Sequence, residues 1–283
     1  MVTNKNNMEK IVLVGAAQLM EEVFTSGLYR KMKTAENKIN CIKGAIRKHL
    51  DNGDSKRYDL SHNLVAKYVS FPSYETDEKG LKEFLDDYGI LPEIVSIKAN
   101  TFKEKPEILK ALRPFQLPRK FYPQFYLNSV GKLHLDKEEY SFSGDLERLA
   151  GYFLEQKTNF EESQSRYQRF MQEIGNCPFL KASKSMRSNF GLCKLREKII
   201  EFNSKSVYNE FGNDFLIEFG QISMSAVEEY IAKGYFSHKD IQKFRKMTNI
   251  DLRFVIMEKE SEDRQLNFHH KQKMRKAQMR RFA

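Results

Sequence analysis

Apolar positions at Ile39, Ile42, Ile46 and Leu50 step by three and four residues, which places them on one face of a helix over 35–50. A preceding helix is predicted over 8–33, opening on the run Ile11-Val12-Leu13-Val14-Gly15-Ala16-Ala17, and the turn chemistry of Asn52-Gly53-Asp54 ends the second one. Residues 63–71, NLVAKYVSF, are rich in β-branched and aromatic side chains and stop at Pro72, which predicts a strand. Thr76 or Asp77 then caps a short helix that buries Leu81, Phe84 and Leu85, with Gly89 and Pro92 ending it. EIVSIKA, 93–99, predicts another strand, and strand–helix–strand with such short connections suggests a small βαβ or α+β unit.

The second half is patterned differently. PFQLPRKFYPQFY, 114–126, holds three prolines and five aromatics, and proline's missing donor and fixed φ predict a connector without regular structure. Leu146, Leu149, Phe153, Phe160, Tyr167, Phe170 and Ile174 keep helical spacing over 144–174. Ser143 or Gly144 is the expected start of this helix, and Gly175 with Pro178 its stop. Its heptad pattern lapses around Lys157 and Gln164, which favours the spine of a bundle over a coiled coil. Further helices are expected at 184–203, 205–219, 225–233 and 238–247, and a strand or buried turn at 251–257. No internal repeat is present.

These elements predict an α+β fold that is mainly α: a small mixed N-terminal region, then a helical bundle with one long helix, then a flexible basic C-terminal tail. The corresponding boundaries are 1–113 (helical and small α+β region), 114–143 (connector), 144–260 (helical domain) and 261–283 (tail).

Composition narrows the class. The 283 residues are 40% hydrophobic, with 22 Phe and 13 Tyr, which is enough for a packed core. No apolar run approaches the ~20 residues that span a bilayer. Lys5 and Lys10 before the first apolar run resemble a signal peptide, but Glu9 interrupts and no A-x-A-like site follows, so a buried helix is expected instead. Cys41, Cys177 and Cys193 are odd in number and far apart, which argues against a disulfide framework or a cysteine zinc site and for a reducing cytoplasm. Abundant Lys, Asn, Ile, Phe and Tyr with no Trp is usage common where codons are AT-rich, as in low-GC bacteria and their phages.

Charge changes the picture most. Of the formal +10, residues 264–283 supply seven Lys or Arg (Arg264, Lys271, Lys273, Arg275, Lys276, Arg280, Arg281) and no acid, leaving 41 basic against 38 acidic groups elsewhere. The chain reads as a nearly neutral body with a basic end, whose Lys and Arg point to every side of a helical wheel while Leu266, Phe268, Met274, Met279 and Phe282 form no apolar stripe. A membrane-surface helix needs such a stripe, so a phosphate-contacting arm fits better. Two smaller basic stretches lie at 98–120 and 181–198, with acidic counterparts at 75–87 and 136–147.

Three segments carry candidate chemistry. SAVEEYIAKG, then Tyr235-Phe236, then HKDIQKFRKM capped by Ser237 has the outline of a helix-turn-helix, with His238, Lys239, Gln242, Lys243, Arg245 and Lys246 outward and residues 251–257 as a wing strand. The alternative is a helical hairpin with a solvated basic face. The tail adds Lys271, Lys273, Arg275, Lys276, Arg280 and Arg281, against the alternative of a charged terminus that only aids solubility. The aromatic–basic run Arg119-Lys120-Phe121-Tyr122 to Phe125-Tyr126 suits base stacking, although packing onto the core is the more ordinary use.

Enzyme signatures are weak. No phosphate loop, G-x-G-x-x-G, G-x-S-x-G or H-E-x-x-H occurs. Acid-x-Lys triplets at Glu36, Asp54, Asp77 and Glu155 fall on expected helices, a turn and a helix start rather than strands, and His62 lies too near Asp59 and Ser61 in sequence to form a triad with them. The expected function is a non-enzymatic, cytoplasmic nucleic-acid-binding protein without metal or cofactor. The alternatives are a structural or adaptor protein that binds a protein partner or a second copy through the long helix, and an enzyme without a readable motif.

Overall fold

The computed structural model describes residues 15–50 and 56–282. The start of the expected first helix and the Asn52-Gly53-Asp54 turn lie outside them. The chain is mixed α/β and dominated by helix, 57% against 23% strand. In order, the elements are α1 (Ala16–Thr25), α2 (Leu28–Leu50), β1 (Arg57–Leu60), β2 (Leu64–Thr76), α3 (Glu78–Asp87), α4 (Leu91–Ile94), β3 (Val95–Lys98), α5 (Pro106–Ala111), β4 (Phe121–Leu127) and α6 (Ser129–Lys132). There follow α7 (Leu146–Asn176), α8 (Pro178–Ser183), β5 (Ser185–Ser188), β6 (Gly191–Glu197), β7 (Glu201–Phe202), α9 (Ser204–Phe219), β8 (Gln221–Ile222), α10 (Met224–Ala232), α11 (His238–Gln242), β9 (Arg245–Glu258) and α12 (Lys259–Phe282).

Two compact units are interleaved in sequence: Met1–Asn52 with Phe121–Glu197, and Gly53–Lys120 with Lys198–Ala283. Neither is contiguous in sequence, and the first joins the long helix to the first fifty residues.

In the first unit, α2 packs along α7. The long helix starts where the Asp145 carboxylate accepts the Arg148 N–H at 2.9 Å, two residues past the expected Ser143. Its end lies two residues past the expected Ile174, with Gly175 still helical, and Pro178 opens α8. The single helix expected over 8–33 breaks at Gly27, whose φ of 72° suits glycine. A core forms where α1 meets the end of α7 and a three-stranded antiparallel sheet of order β4-β6-β5. Phe24 is its centre, with ring contacts to Tyr29, Phe125, His134 and Phe190.

This sheet overturns two expectations. Residues 121–127 form a strand despite Pro123, and the helix expected over 184–203 is replaced by the hairpin Ser185–Glu197 and the short strand β7. The alternation of buried Cys193 and Leu195 with outward Lys194 and Arg196 has period two, which only a strand can satisfy. Gly191 follows the turn with φ 141°, and a Cβ there would collide with the Tyr126 carbonyl oxygen. Gly191→Ala is therefore expected to destabilise the first unit by about 2–3 kcal/mol, through overpacking and backbone strain. Chemical denaturation followed by circular dichroism checks this; an unchanged midpoint would mean that the close approach of β4 and β6 is wrong.

The second unit has a helical core. Leu81 and Leu85 of α3, Leu91 and Ile94 of α4, Ile97 of β3, Val207 and Leu216 of α9, and Val227 and Ile231 of α10 are buried together with Phe102. Asp77 caps α3, accepting the Gly80 N–H at 3.0 Å, as one of the two expected caps. The strands on either side of α3 do not form a βαβ unit, because β2 lies in the sheet β1-β2-β9 and β3 in the sheet β7-β3-β8. All thirteen residues of β2 pair antiparallel with β9, with a bulge between Ser73 and Tyr74. The middle of this two-stranded ribbon is exposed, and Pro72, Ile250 and Leu252 share one of its faces. No helix among the described residues is long and apolar enough to cross a membrane.

Candidate nucleic-acid interface

The expected helix-turn-helix lies over α10 and α11. Ser223 caps α10, accepting the Ala226 N–H. At α11 the Asp240 carboxylate accepts both the Ser237 N–H (3.0 Å) and the Ser237 hydroxyl (2.7 Å). These bonds, the hydroxyl foremost, hold the Asp240 carboxyl down to about 2.

The second helix, expected over 238–247, ends at Gln242, and Arg245 and Lys246 stand on β9. The reason is competition from the ribbon. Asp77 donates its N–H to the Phe244 carbonyl at 2.8 Å, Phe244 packs on Phe84, and Arg245 pairs with Thr76. Strand pairing thus captures the chain after one and a half turns, about 7.5 Å of helix. Lys239, Gln242 and Lys246 remain exposed. His238 faces Glu228 at 3.6 Å and Lys243 faces Asp240 at 3.3 Å, so both have acidic neighbours. The Arg245 guanidinium sits 4.0 Å from the Tyr74 ring centroid. Of the six residues expected to read bases, three stand outward with no ion pair among the described residues, and only two of these lie on the short helix.

The basic end is a helix, not a flexible arm: α12 runs without interruption to Phe282. Residues 259–282 contain no Gly or Pro and many strong helix formers. Glu260 and Glu262 occupy the first turn and basic residues the end, which complements the helix dipole at both ends. Lys271 is exposed, while the side chains of Lys273, Arg275, Lys276, Arg280 and Arg281 lie outside the described residues. Leu266, Phe268 and Met274 are exposed.

One carboxylate ties this helix to the ribbon. The Glu262 side chain is 6% exposed and accepts from Arg57 Nε (3.0 Å) and Nη2 (2.9 Å) and from Lys67 Nζ (2.9 Å). Arg57, then Lys67, hold its carboxyl below the usual glutamate range. A depressed folded-state pKa means stability that is present above the ordinary glutamate value, about 4.3, and is lost as pH falls through the lower folded value. Glu262→Gln is therefore expected to cost ~1–2 kcal/mol at neutral pH, since Arg57 is partly solvated. The gap to the parent should close on acidification, and thermal melts of both proteins from neutral to acid pH check it. A gap that widens in acid would contradict the tether.

The aromatic–basic run is divided by the sheet. Phe125 packs inward on Phe24 and Tyr167, as core packing would have it. Tyr122 and Tyr126 point the other way and are 41% and 37% exposed. Residues directly opposite on antiparallel strands share a face. Tyr122 opposes Arg196, Gln124 opposes Lys194 and Tyr126 opposes Leu192, while Arg187 of β5 also opposes Leu192. The outward face therefore joins two tyrosines to Arg187, Lys194 and Arg196, with no carboxylate among them. None of the three cations has an ion pair among the described residues. Lys194 Nζ lies 5.2 Å from the Tyr126 ring centroid, and Lys184 Nζ lies 4.6 Å from that of Phe121 at the sheet's edge.

Other chemistry has less to stand on. A cavity of about 570 Å³ in the first unit is lined by Cys41, Lys48, His49, Tyr140 and Ser141 among others. Its Tyr140 hydroxyl, bonded to Asp136 and Glu138, is pushed up to about 12, burial being the leading cause. The Cys41 thiol bonds back to Asn37 on its own helix. Among the described residues no three His, Cys, Asp or Glu side chains converge as metal ligands would. Compared with protein-family models, curated proteins and solved structures, the chain matches none.

Proposed function

We propose that this chain is a non-enzymatic nucleic-acid-binding protein of a reducing compartment, with α12 supplying phosphate attraction. The observation that carries this reading is the concentration of seven Lys and Arg without one acid over residues 264–283, on a continuous helix tethered through the buried Glu262. Six of the seven have no acid three or four positions away in the sequence, so the helix spacing offers them no intrahelical ion pair. A polyanion satisfies them, and each phosphate they neutralise releases condensed counterions. Lys239, Gln242 and Lys246 add secondary contacts, with His238, Lys243 and Arg245 beside them. The three cysteines are free thiols, in keeping with a cytoplasmic setting.

The test is fluorescence anisotropy of a labelled duplex and a labelled single strand titrated with the full chain at low salt. Binding of either, weakened by added salt, is expected; binding of neither rejects the reading.

One observation favours a second reading, an adaptor that binds protein. Ile250 and Leu252 on the ribbon are 53% and 59% exposed, more than a monomer gains from. A stable dimer insensitive to nuclease would support it.

A further inference from the structure

We infer that the outward face of the sheet β4-β6-β5 is a binding platform for single-stranded nucleic acid, with bases stacking on Tyr122 and Tyr126 and phosphates meeting Arg187, Lys194 and Arg196. This rests on the nucleic-acid reading above and names the form of the ligand at a site separate from α12.

The rings come first. Tyr122 and Tyr126 are four residues apart on β4, so they project to one side about 13 Å apart. A tyrosine on a strand is usually turned into the core or against a neighbouring side chain. Here Tyr122 is 41% exposed, and Tyr126, 37% exposed, donates its hydroxyl to Gln124 Oε1 and carries only the flexible Lys194 over its ring, while Pro123 and Phe125 take the inward positions. An exposed ring offers a π-face that any base can cover, provided the base is not already stacked in a duplex.

The cations come next. Tyr122 stands opposite Arg196 and Gln124 opposite Lys194, so a basic row runs beside the aromatic one. Arg187 extends it onto β5. The face is cationic and free of acid, which a strand of phosphates complements and an acidic surface patch without rings would use only in part. Lys194 resting on the Tyr126 ring shows that this ring is within reach of a positive group. The lysine stem is flexible, so an incoming base can take the ring and leave the ammonium to a phosphate. Behind the face, Phe125, Cys193 and Leu195 are packed into the Phe24 core, which keeps the platform rigid before ligand arrives.

A duplex reaches the cations but not the rings. Discrimination between the two forms therefore belongs to the tyrosines, and general affinity to the charges.

The experiment uses the full chain with a labelled oligonucleotide, single-stranded or annealed to its complement. Tyr122→Ala with Tyr126→Ala is expected to weaken single-strand binding by about tenfold or more and leave duplex binding within about twofold. Because the chain has no tryptophan, Tyr122→Trp supplies a unique fluorophore on the same face. It should retain single-strand binding and lose fluorescence when the strand is added, and this variant keeps the proposal testable if the double alanine variant is misfolded. The inference is overturned if the alanine variant folds and binds the single strand like the parent, or if the tryptophan is not quenched at saturation. Loss of both duplex and single-strand binding on removing the charges of α12, with no effect at the tyrosines, would overturn the platform and keep the broader reading. No binding by the parent would overturn both.

Discussion

Removing residues 264–283 is expected to lower the salt slope of duplex binding by about six, because seven cations leave and each phosphate contact contributes about 0.9. Between about 50 and 200 mM salt, a slope difference of six means that the affinity gap between the parent and the shortened chain should shrink by about 10³-fold or more. The cut is placed so that folding is spared. Glu262, Arg57 and Lys67 all remain, and with them the tether of the first turn of α12 to the ribbon. Lys259 also stays, donating its N–H to the Asn63 carbonyl and its ammonium to Asp59. Anisotropy titrations across a salt series, with circular dichroism to confirm the fold, measure the effect. A slope that survives the deletion would assign the phosphate contacts to another part of the chain.

Phe24→Ala is expected to cost about 4 kcal/mol, the ordinary price of emptying a buried aromatic site. Phe24 is 1% exposed, and its ring centroid lies 4.9 Å from Tyr29, 5.8 Å from Phe125, 5.5 Å from His134 and 5.1 Å from Phe190. Those partners come from α2, from β4 and from the segments that follow β4 and precede β6. The cavity would thus open where helices and sheet meet, and the surroundings are too rigid to fill it. A fall of roughly 10 °C in the melting temperature of the first unit is the expected reading. Phe179, 60% exposed, is the matched control: Phe179→Ala should move stability by no more than about 0.5 kcal/mol. Similar shifts for both would place Phe24 outside the core.

Helices with strong local patterns were legible from sequence. Leu149, Phe153 and Ile174 are buried along α7 as their spacing implies, and α3, β3, α9 and α10 fall close to their expected ranges, whereas β2 starts where expected but runs through Pro72 to Thr76 because β9 pairs with it throughout. What failed was decided by partners distant in sequence. Nothing local says that Phe121–Leu127 will find Gly191–Glu197, so Pro123 argued for a connector where pairing produced an edge strand. The same pairing made a hairpin of 185–197 where a helix was expected over 184–203, although Cys193 and Leu195 alternating with Lys194 and Arg196 carried the correct period. β9 similarly shortened α11, since β2 offered hydrogen bonds to residues 245–258 that a helix could not match. The tail erred in the other direction: its charge suggested an arm, while its lack of Gly and Pro and its dipole-matched ends favour a helix.

The site shows the same division. The charge of residues 264–283 and the aromatics of 121–126 were visible in the sequence, each within one segment. Their partners were not. The basic stretch 181–198 was expected to be a helix with acidic counterparts elsewhere, and only the register Tyr122↔Arg196 and Gln124↔Lys194 brings it beside the tyrosines. Likewise Glu262 gave no sign of its role until Arg57 and Lys67, about two hundred residues away in sequence, closed on it.

The most direct test of whether a polyanion is the partner is the ultraviolet absorbance of the full chain purified from cells at low and at high salt. With thirteen tyrosines and no tryptophan the protein absorbs weakly at 280 nm, so even a small nucleic-acid load is conspicuous. A 260-to-280 ratio well above that of the protein at low salt, falling to the protein's own value at high salt, is the expected result. A ratio that is protein-like under both conditions would contradict a nucleic-acid partner.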